Sequence, residues 1–248
     1  MRGDQTVAWQ DLKALAKAFS GFDLRDAFAS DAKRAVHFSQ EAPGVFADLS
    51  KNHWDARIEA QLLVLAEQAG VLSYRNRMFK GEAINTTENR AVMHWLLRHP
   101  AEGAAAEALP VPVKACLKEV NDTLSAMLLF AQKIRLDVQI TDIVNIGIGG
   151  SDLGPQMAVM ALQSHALKGK RFHFVSNVDG HELDAVLNGL KAENTLFLVA
   201  SKTFTTLETM TNALSAKRWF EAQGGTDVSR HFAALTTNVE AAGKFGIQ

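Results

Sequence analysis

Two short segments of the chain hold the residue types that bind phosphate groups, and the first is rich in glycine. Asn145–Pro155, which we call the glycine turn, contains four glycines and one serine. Where such a loop opens a helix, its main-chain N–H groups and the helix dipole attract anions. The simpler interpretation is that the glycines only let a strand and a helix pack closely. We favour anion binding, because the serine accompanies the glycines at this place.

The glycine turn does not fit three familiar templates. A dinucleotide fingerprint GxGxxG would need glycine in place of Asp152, and a P-loop would need lysine in place of Pro155. A nucleophile elbow around Ser151 would need glycine in place of Leu153. The sequence therefore disfavours these two nucleotide sites and a serine hydrolase.

The second segment, Ser201–Thr206, carries four hydroxyl groups and one lysine, and we call it the hydroxyl turn. Hydroxyls donate to phosphate oxygens, and Lys202 supplies a compact positive charge. The simpler interpretation is a capping box, in which Thr205 and Glu208 begin the next helix. One cap uses one hydroxyl, so the remaining hydroxyls and the lysine favour a metal-free site for a phosphomonoester. Phosphate then serves as a handle while chemistry occurs elsewhere on the ligand, which points to sugar phosphates.

Both turns follow predicted strands in the second half of the chain, where short apolar runs alternate with helical patterns. Repeated strand–helix units predict a parallel sheet covered on both faces, that is, an α/β protein with a three-layer α/β/α sandwich. Ligands bind at the carboxyl ends of the strands in such sheets, where both turns lie. The predicted strands are Asp142–Ile146, Phe172–Val175, Thr195–Ala200 and Phe232–Leu235.

The first half of the chain is predicted to be helical. Apolar residues recur at steps of three and four in three segments, which predicts an apolar face on each helix. These segments are 9–19, 58–69 and 117–131. A stretch rich in alanine and glutamate with two prolines, residues 100–112, predicts a boundary between a helical N-terminal region, 1–112, and an α/β domain, 113–248.

Capping signals mark the ends of one of these helices and the start of a further one. Ser50 or Asn52 would cap the second helix, and Gly70 would end it. Asn85 and Glu88, three residues apart, have the form of a capping box for a helix that runs through residue 98.

Composition limits the possible partners. The 248 residues include 26 Lys plus Arg and 27 Asp plus Glu, for a formal net charge of −1. No overall positive field exists to hold nucleic acid or an anionic membrane, so an anion needs a local site. The single cysteine, Cys116, lies in an apolar helical pattern and is expected to be a core residue. Without an apolar run of membrane-spanning length or a secretory signal pattern, the expected location is the cytoplasm, with no membrane partner.

Four segments together resemble the glucose-6-phosphate isomerase family. Asn145–Pro155 and Ser201–Thr209 are similar to its signature segments, and Ser176–Gly180 and Gly81–Ala91 also match, in the expected order and spacing. The resemblance covers most of the chain from about Met78 onward.

The resemblance implies a SIS (sugar isomerase) α/β/α domain and the interconversion of glucose 6-phosphate and fructose 6-phosphate through an enediol, in glycolysis and gluconeogenesis. It also implies a homodimer that needs no metal or cofactor and no nucleic-acid partner. The substrate phosphate would contact residues of both turns. These are Gly150, Ser151, Ser201, Lys202, Thr203 and Thr206.

The chain also departs from the family, whose members are about twice as long and contain two SIS domains. The glutamate, histidine, arginine and lysine that act in catalysis lie downstream of the matched region, so the first SIS domain is expected to be incomplete and the chain inactive alone. Within it, Glu208 is the only carboxylate next to the hydroxyl turn, and a capping role is favoured for it. His181 is expected to cap or rim the site, with its charged form disfavoured at a helix start. The alternative is that the chain is a non-enzymatic SIS module that senses a sugar phosphate, as regulators with this domain do.

Overall fold

The computed structural model describes residues 2–247. The chain divides into two compact units between Leu124 and Ser125, within the long helix α7, Val111–Leu136. The domain boundary predicted between residues 112 and 113 lies at the start of this helix and stays a prediction.

The first unit is mainly helical, as the apolar periodicity predicts. It also contains an antiparallel hairpin that the sequence did not predict, in which Ser39–Ala42 pairs with Val45–Asp48 and Gly44 closes the turn at φ +76°. Short 3-10 helices cover Gly3–Gln5 and His94–Arg98. The elements are α1 Val7–Ala18, α2 Leu24–Ser30, α3 Arg34–His37, β1 Ser39–Ala42, β2 Val45–Asp48, α4 Ala56–Gln68, α5 Val71–Phe79, α6 Ala104–Glu107 and the start of α7.

The start of helix α4 differs from the prediction. The side chain of Asp55 accepts hydrogen bonds from the main-chain N–H groups of the second and third helical residues, so Asp55 is the cap. The prediction of Ser50 or Asn52 was wrong by several residues. Gly70 follows the end of the helix at φ +73°, the left-handed conformation that ends helices at glycine, as predicted.

The predicted helix from Asn85 onward is wrong. The carboxamide oxygen of Asn85 accepts from the N–H groups of Thr87 and Glu88, as in a cap. The chain then reverses, and Asn85 and Arg90 exchange two main-chain hydrogen bonds of 3.1 Å each. Asn89, at φ +50°, supplies the left-handed turn that stops a helix here.

The second unit is the predicted α/β part. Its four strands are β3 (Asp142–Gly147), β4 (Arg171–Val175), β5 (Thr195–Ala200) and β6 (Phe232–Leu235). They form one parallel sheet in the order β4-β3-β5-β6. Two strands match their predicted bounds and two differ by one residue. Short 3-10 helices cover Gln163–His165 and Ala192–Asn194. The elements are β3 Asp142–Gly147, α8 Gly150–Ala161, β4 Arg171–Val175, α9 Gly180–Leu187, β5 Thr195–Ala200, α10 Leu207–Ala222, α11 Val228–His231, β6 Phe232–Leu235 and α12 Val239–Phe245.

Alternate residues of the strands feed two apolar clusters on opposite faces of the sheet. On one face, Val144 and Phe197 pack with residues of α9, α10 and α12. On the other face, Ile143 and Leu196 pack with Ile134 of α7, and α8 lies against β3 and β4. The sheet is thus covered on both sides, and the predicted three-layer α/β/α class is confirmed.

Helix α7 buries only part of its predicted apolar face. Leu117 lies in an apolar cluster of the first unit, against which Cys116 packs, whereas Leu124 and Met127 are exposed. Within residues 2–247, no helix combines the length and the apolar character needed to cross a bilayer.

Candidate functional site

The glycine turn joins β3 to α8 in a tight bend. A Cβ atom on Gly147 would lie 2.7 Å from the carbonyl oxygen of Ser151, so only glycine fits there. Gly149 has φ +58°, which also favours glycine. The side chain of Asn145 holds the bend by donating to the carbonyl oxygen of Ser151 at 3.0 Å. Close packing therefore explains some of the glycines, as the simpler interpretation has it.

The remaining feature of the glycine turn is its open main chain. Gly150 is exposed and Ser151 half-buried at the start of α8. Among residues 2–247, no main-chain oxygen accepts from the N–H groups of Gly149 and Gly150. These donors point from a helix N-terminus, where the dipole is positive and favours an anion.

The hydroxyl turn joins β5 to α10. Ser201 is buried, Thr206 is half-buried, and Lys202 and Thr203 are exposed. The Ser201 Oγ lies 3.3 Å from the Thr206 Oγ1. The hydroxyl groups just before the first turn of α10 therefore range from buried to exposed.

The predicted capping box at the hydroxyl turn is wrong. Among residues 2–247, the hydroxyl of Thr205 bonds to the hydroxyl of Thr203 at 2.6 Å and accepts no main-chain N–H of the helix. The N-cap residue is Thr206, and its side chain makes no capping hydrogen bond within the described residues. The N-terminus of α10 is therefore open to an external acceptor, and Glu208 does not have the structural role expected for it.

Phe204 gives the hydroxyl turn its shape. It has φ +56°, a conformation that non-glycine residues rarely adopt. Its buried ring packs edge-to-face on Phe245 of α12, with centroids 5.8 Å apart. Strain of this kind persists only where packing enforces it, and it concentrates at functional sites.

Strand pairing brings the two turns together at one edge of the sheet. Strands β3 and β5 are parallel neighbours, and Gly147 lies opposite Ala200, the last residue of each strand. Neighbouring strands lie about 4.8 Å apart. Both turns therefore leave the sheet side by side, and each leads into a helix N-terminus. All six predicted phosphate contacts, Gly150, Ser151, Ser201, Lys202, Thr203 and Thr206, lie on these two turns.

Thr209 is a site candidate that the sequence interpretation missed. Only 2% of it is exposed, and its hydroxyl has no hydrogen-bond partner among residues 2–247. A buried hydroxyl without a partner is costly, and such groups recur where a ligand supplies the bond. The spacing gave a signal, because Thr209 lies three residues after Thr206 and residues three apart share a helix face.

Asp152, in the first turn of α8, is also buried without a complete set of partners. It is 5% exposed, and its Oδ1 has no partner in the described part of the chain. Burial raises the pKa of Asp152, the nearby charge of Glu182 raises it further, and the Ser176 hydroxyl partly offsets the rise. Burial and the neighbouring Glu182 thus disfavour the charged form of Asp152 relative to a free aspartate.

The segment Ser176–Gly180, after β4, lies next to these elements. The side chain of Asn212 in α10 donates to the carbonyl oxygen of Asn177 at 2.7 Å. The Glu182 carboxylate accepts from the N–H groups of Ser176 and Asn177, at 3.1 and 2.5 Å. The segment that follows β4 is therefore hydrogen-bonded to α10, the helix that follows the hydroxyl turn.

His181 lies on the surface, with its side chain 99% exposed. Asp179 caps α9 and bonds the His181 ring at 2.8 Å. This hydrogen bond, with the carboxylate charge, raises the pKa of His181. The expectation that the charged form of His181 is disfavoured was wrong, because the adjacent Asp179 carboxylate stabilises that form. No group of three histidine, cysteine, aspartate or glutamate side chains within residues 2–247 is arranged to hold a metal ion.

Comparison with known proteins gives one consistent family. The family model described as phosphoglucose isomerase matches residues 48–248. The chain is 65% identical, over 249 residues, to the glucose-6-phosphate isomerase of Albidiferax ferrireducens. The alignment covers 99% of this chain and 48% of that protein. A second relative, the glucose-6-phosphate isomerase of Polaromonas naphthalenivorans, is 62% identical over all of this chain and 48% of its own length.

A solved structure supports the fold. The crystal structure of a glucose-6-phosphate isomerase from Chlamydia trachomatis matches 95% of this chain and 45% of its own, with a TM-score of 0.76 and 25% identity. The chain thus spans about half the length of the curated relatives it matches.

Proposed function

We propose a function that starts from the family, because this chain belongs to the phosphoglucose isomerase family. The proposal is that the chain binds the phosphate group of glucose 6-phosphate or fructose 6-phosphate and forms the phosphate-binding part of an aldose–ketose isomerase. That enzyme would act in glycolysis and gluconeogenesis.

One observation carries the proposal. Gly147 and Ala200 end neighbouring parallel strands in register, so the glycine turn and the hydroxyl turn leave the sheet side by side. Two helix N-termini and two sets of donors then face one region at the carboxyl edge, where ligands bind in such folds.

The donors suit a phosphate dianion. Lys202 would supply the positive charge, which the whole chain, at −1, does not. Ser201, Thr203 and Thr206 would add hydroxyl donors, and the uncapped start of α10 would add main-chain N–H groups. Thr209 would complete the set, because an anion would give its buried hydroxyl a partner.

The reaction itself needs more than a phosphate site. Moving a proton between adjacent carbons through an enediol requires a base, an acid that opens the sugar ring, and a positive group near the developing oxyanion. Glu208 is the carboxylate closest in sequence to the hydroxyl turn. His181 is held on the surface by Asp179. We therefore assign binding, and not turnover, to the 248-residue polypeptide on its own.

Calorimetric titration tests the binding site. Fructose 6-phosphate is expected to bind, while fructose, which lacks the phosphate, is not. Lys202→Ala should weaken binding by on the order of 1.5–3 kcal/mol, about 10- to 150-fold, through loss of a charge-assisted contact. Lys168→Ala removes an exposed lysine at the amino end of β4 and is the matched control. Equal affinity in the Lys202 variant and the control would contradict the assignment.

Two further measurements address the rest of the proposal. A coupled isomerase assay on the purified polypeptide is expected to show no turnover, and rates typical of enzymes would contradict that assignment. The homodimer and the cytoplasmic location belong to the proposal for the whole protein. Light scattering of the full-length protein tests the homodimer, and fractionation of cells tests its location.

A further inference from the structure

The segment that follows β6 contacts the main chain of the hydroxyl turn. The Lys202 carbonyl oxygen accepts from the hydroxyls of Thr236 and Thr237, at 3.0 and 2.9 Å, and from the N–H of Thr237 at 2.9 Å. The Asn238 side chain donates to the carbonyl oxygen of Thr203 at 3.1 Å. Two successive carbonyls of the turn are thus held by three successive residues from another strand end.

These bonds fix the direction of a main-chain donor. In a planar trans peptide, the C=O of one residue and the N–H of the next point in opposite directions. Drawing the Lys202 carbonyl toward Thr236 and Thr237 therefore turns the N–H of Thr203 away from them. The same bonds keep a carbonyl oxygen, which would repel an anion, turned away from the region that this N–H faces.

Three donors converge on one carbonyl oxygen of the hydroxyl turn. A carbonyl oxygen has two lone pairs, and the N–H of Thr237 already occupies one, yet two hydroxyls also reach the Lys202 oxygen. Asn238 is itself held in place, because its carboxamide oxygen caps α12 by accepting from Ala241 at 3.1 Å. The turn that receives these donors is the one that Phe204 holds at φ +56°.

We propose that Thr236 and Thr237 are positioning residues for anion binding by the hydroxyl turn. They hold the Lys202 carbonyl so that the N–H of Thr203 faces the bound phosphate, and they contact the ligand only through the turn. This role rests on the proposed function, since it assumes that the hydroxyl turn binds the phosphate of a hexose 6-phosphate.

The test compares valine and serine variants of the full 248-residue chain. Thr236→Val and Thr237→Val keep the side-chain size and remove one hydroxyl each, whereas Thr236→Ser and Thr237→Ser keep the donor. Thr211→Val is the matched control, because the Thr211 hydroxyl also bonds a main-chain carbonyl, that of Leu207 at 2.8 Å, but this carbonyl belongs to helix α10 and not to the hydroxyl turn. Calorimetry with fructose 6-phosphate measures affinity, and hydrogen exchange without ligand measures the protection of the amides of residues 201–206.

Each valine variant is expected to weaken binding about fivefold, which is about 1 kcal/mol per lost hydroxyl, and the double variant about 25-fold. The serine variants should bind within about twofold of wild type, and all variants should keep the wild-type melting midpoint within about 3 °C, as small changes in a surface turn do. Faster exchange in residues 201–206 should accompany the loss of affinity in the valine variants and not in the control.

The possible failures are distinguishable. If the wild-type chain binds fructose 6-phosphate and the valine double variant binds equally well, the positioning role is wrong and the proposed function stands. If the serine variants lose as much affinity as the valine variants, the hydroxyl donor is not the cause and the role is again wrong. If the wild-type chain does not bind, the proposed function fails and the positioning role fails with it.

Discussion

Replacing Arg34 by methionine should destabilise the first unit strongly. Arg34 is only 3% exposed. It lies before the hairpin and bonds to the segment that follows the hairpin. Its guanidinium donates to the carbonyl oxygens of Ser50, Asn52 and Trp54, at 2.8, 3.2 and 2.8 Å. It also lies over the ring of Phe38, 4.7 Å from the centroid. Methionine has a similar length but donates to none of these carbonyls.

The magnitude follows from these contacts. Three hydrogen bonds from a charged donor, at about 1.5 kcal/mol each, contribute about 4–5 kcal/mol. The apolar methionine recovers about 1–2 kcal/mol by its burial. Arg34→Met is therefore expected to lower the free energy of unfolding by about 3 kcal/mol. Arg34→Lys should lose about 2–3 kcal/mol, because an ammonium cannot reproduce the planar fork of donors.

Urea unfolding followed by tryptophan fluorescence measures these changes, since Trp54 carries one of the acceptors. Arg25→Met is the control: Arg25 forms an ion pair with Asp23 at 2.6 Å but is 90% exposed, and its loss should leave the free energy of unfolding nearly unchanged. An Arg34→Met variant within about 1 kcal/mol of wild type would refute the reasoning. An Arg34→Lys variant as stable as wild type would show that charge, and not donor geometry, matters.

Three further predictions concern the second unit. Burial opposes ionisation of Asp142, but bonds such as that from Arg171 at 2.7 Å lower the pKa of Asp142 below its usual 3.8. Its stabilisation is therefore present above about pH 4 and is lost as the pH falls through the folded-state pKa, so Asp142→Asn should flatten the acid side of the stability curve measured from pH 2 to 6. Gly147→Ala should cost about 1–3 kcal/mol in urea unfolding through overpacking, whereas Gly154→Ala, with no atom near the added Cβ, should be neutral or stabilising; equal effects would contradict the close-packed bend. Thr209→Val should leave the melting midpoint unchanged or raised, because it removes a buried hydroxyl that has no partner in the described part of the chain, yet weaken fructose 6-phosphate binding in calorimetry. Unchanged affinity would exclude Thr209 from the site.

Local patterns failed where two local interpretations compete. Asn85 and Glu88 have the spacing of a capping box, and Asn85 does make cap-type bonds, but Asn89 at φ +50° turns the chain back. Likewise Thr205 and Glu208 fit a capping box, but the hydroxyl of Thr205 bonds to Thr203 instead. A side-chain oxygen can accept from several nearby donors, and residue spacing does not decide among them.

By itself, the sequence determined the α/β class, the four strands of the sheet and the two turns, because periodicity and glycine or hydroxyl content are local properties. Only the tertiary structure decided that Gly147 lies opposite Ala200, that Thr236 and Thr237 bond to the Lys202 carbonyl, and that the Thr209 hydroxyl is buried with no partner within residues 2–247. Strand order and burial depend on residues tens of positions apart, whose contacts are selected by packing of the whole sheet against its helices. No pattern within a single segment carries that information.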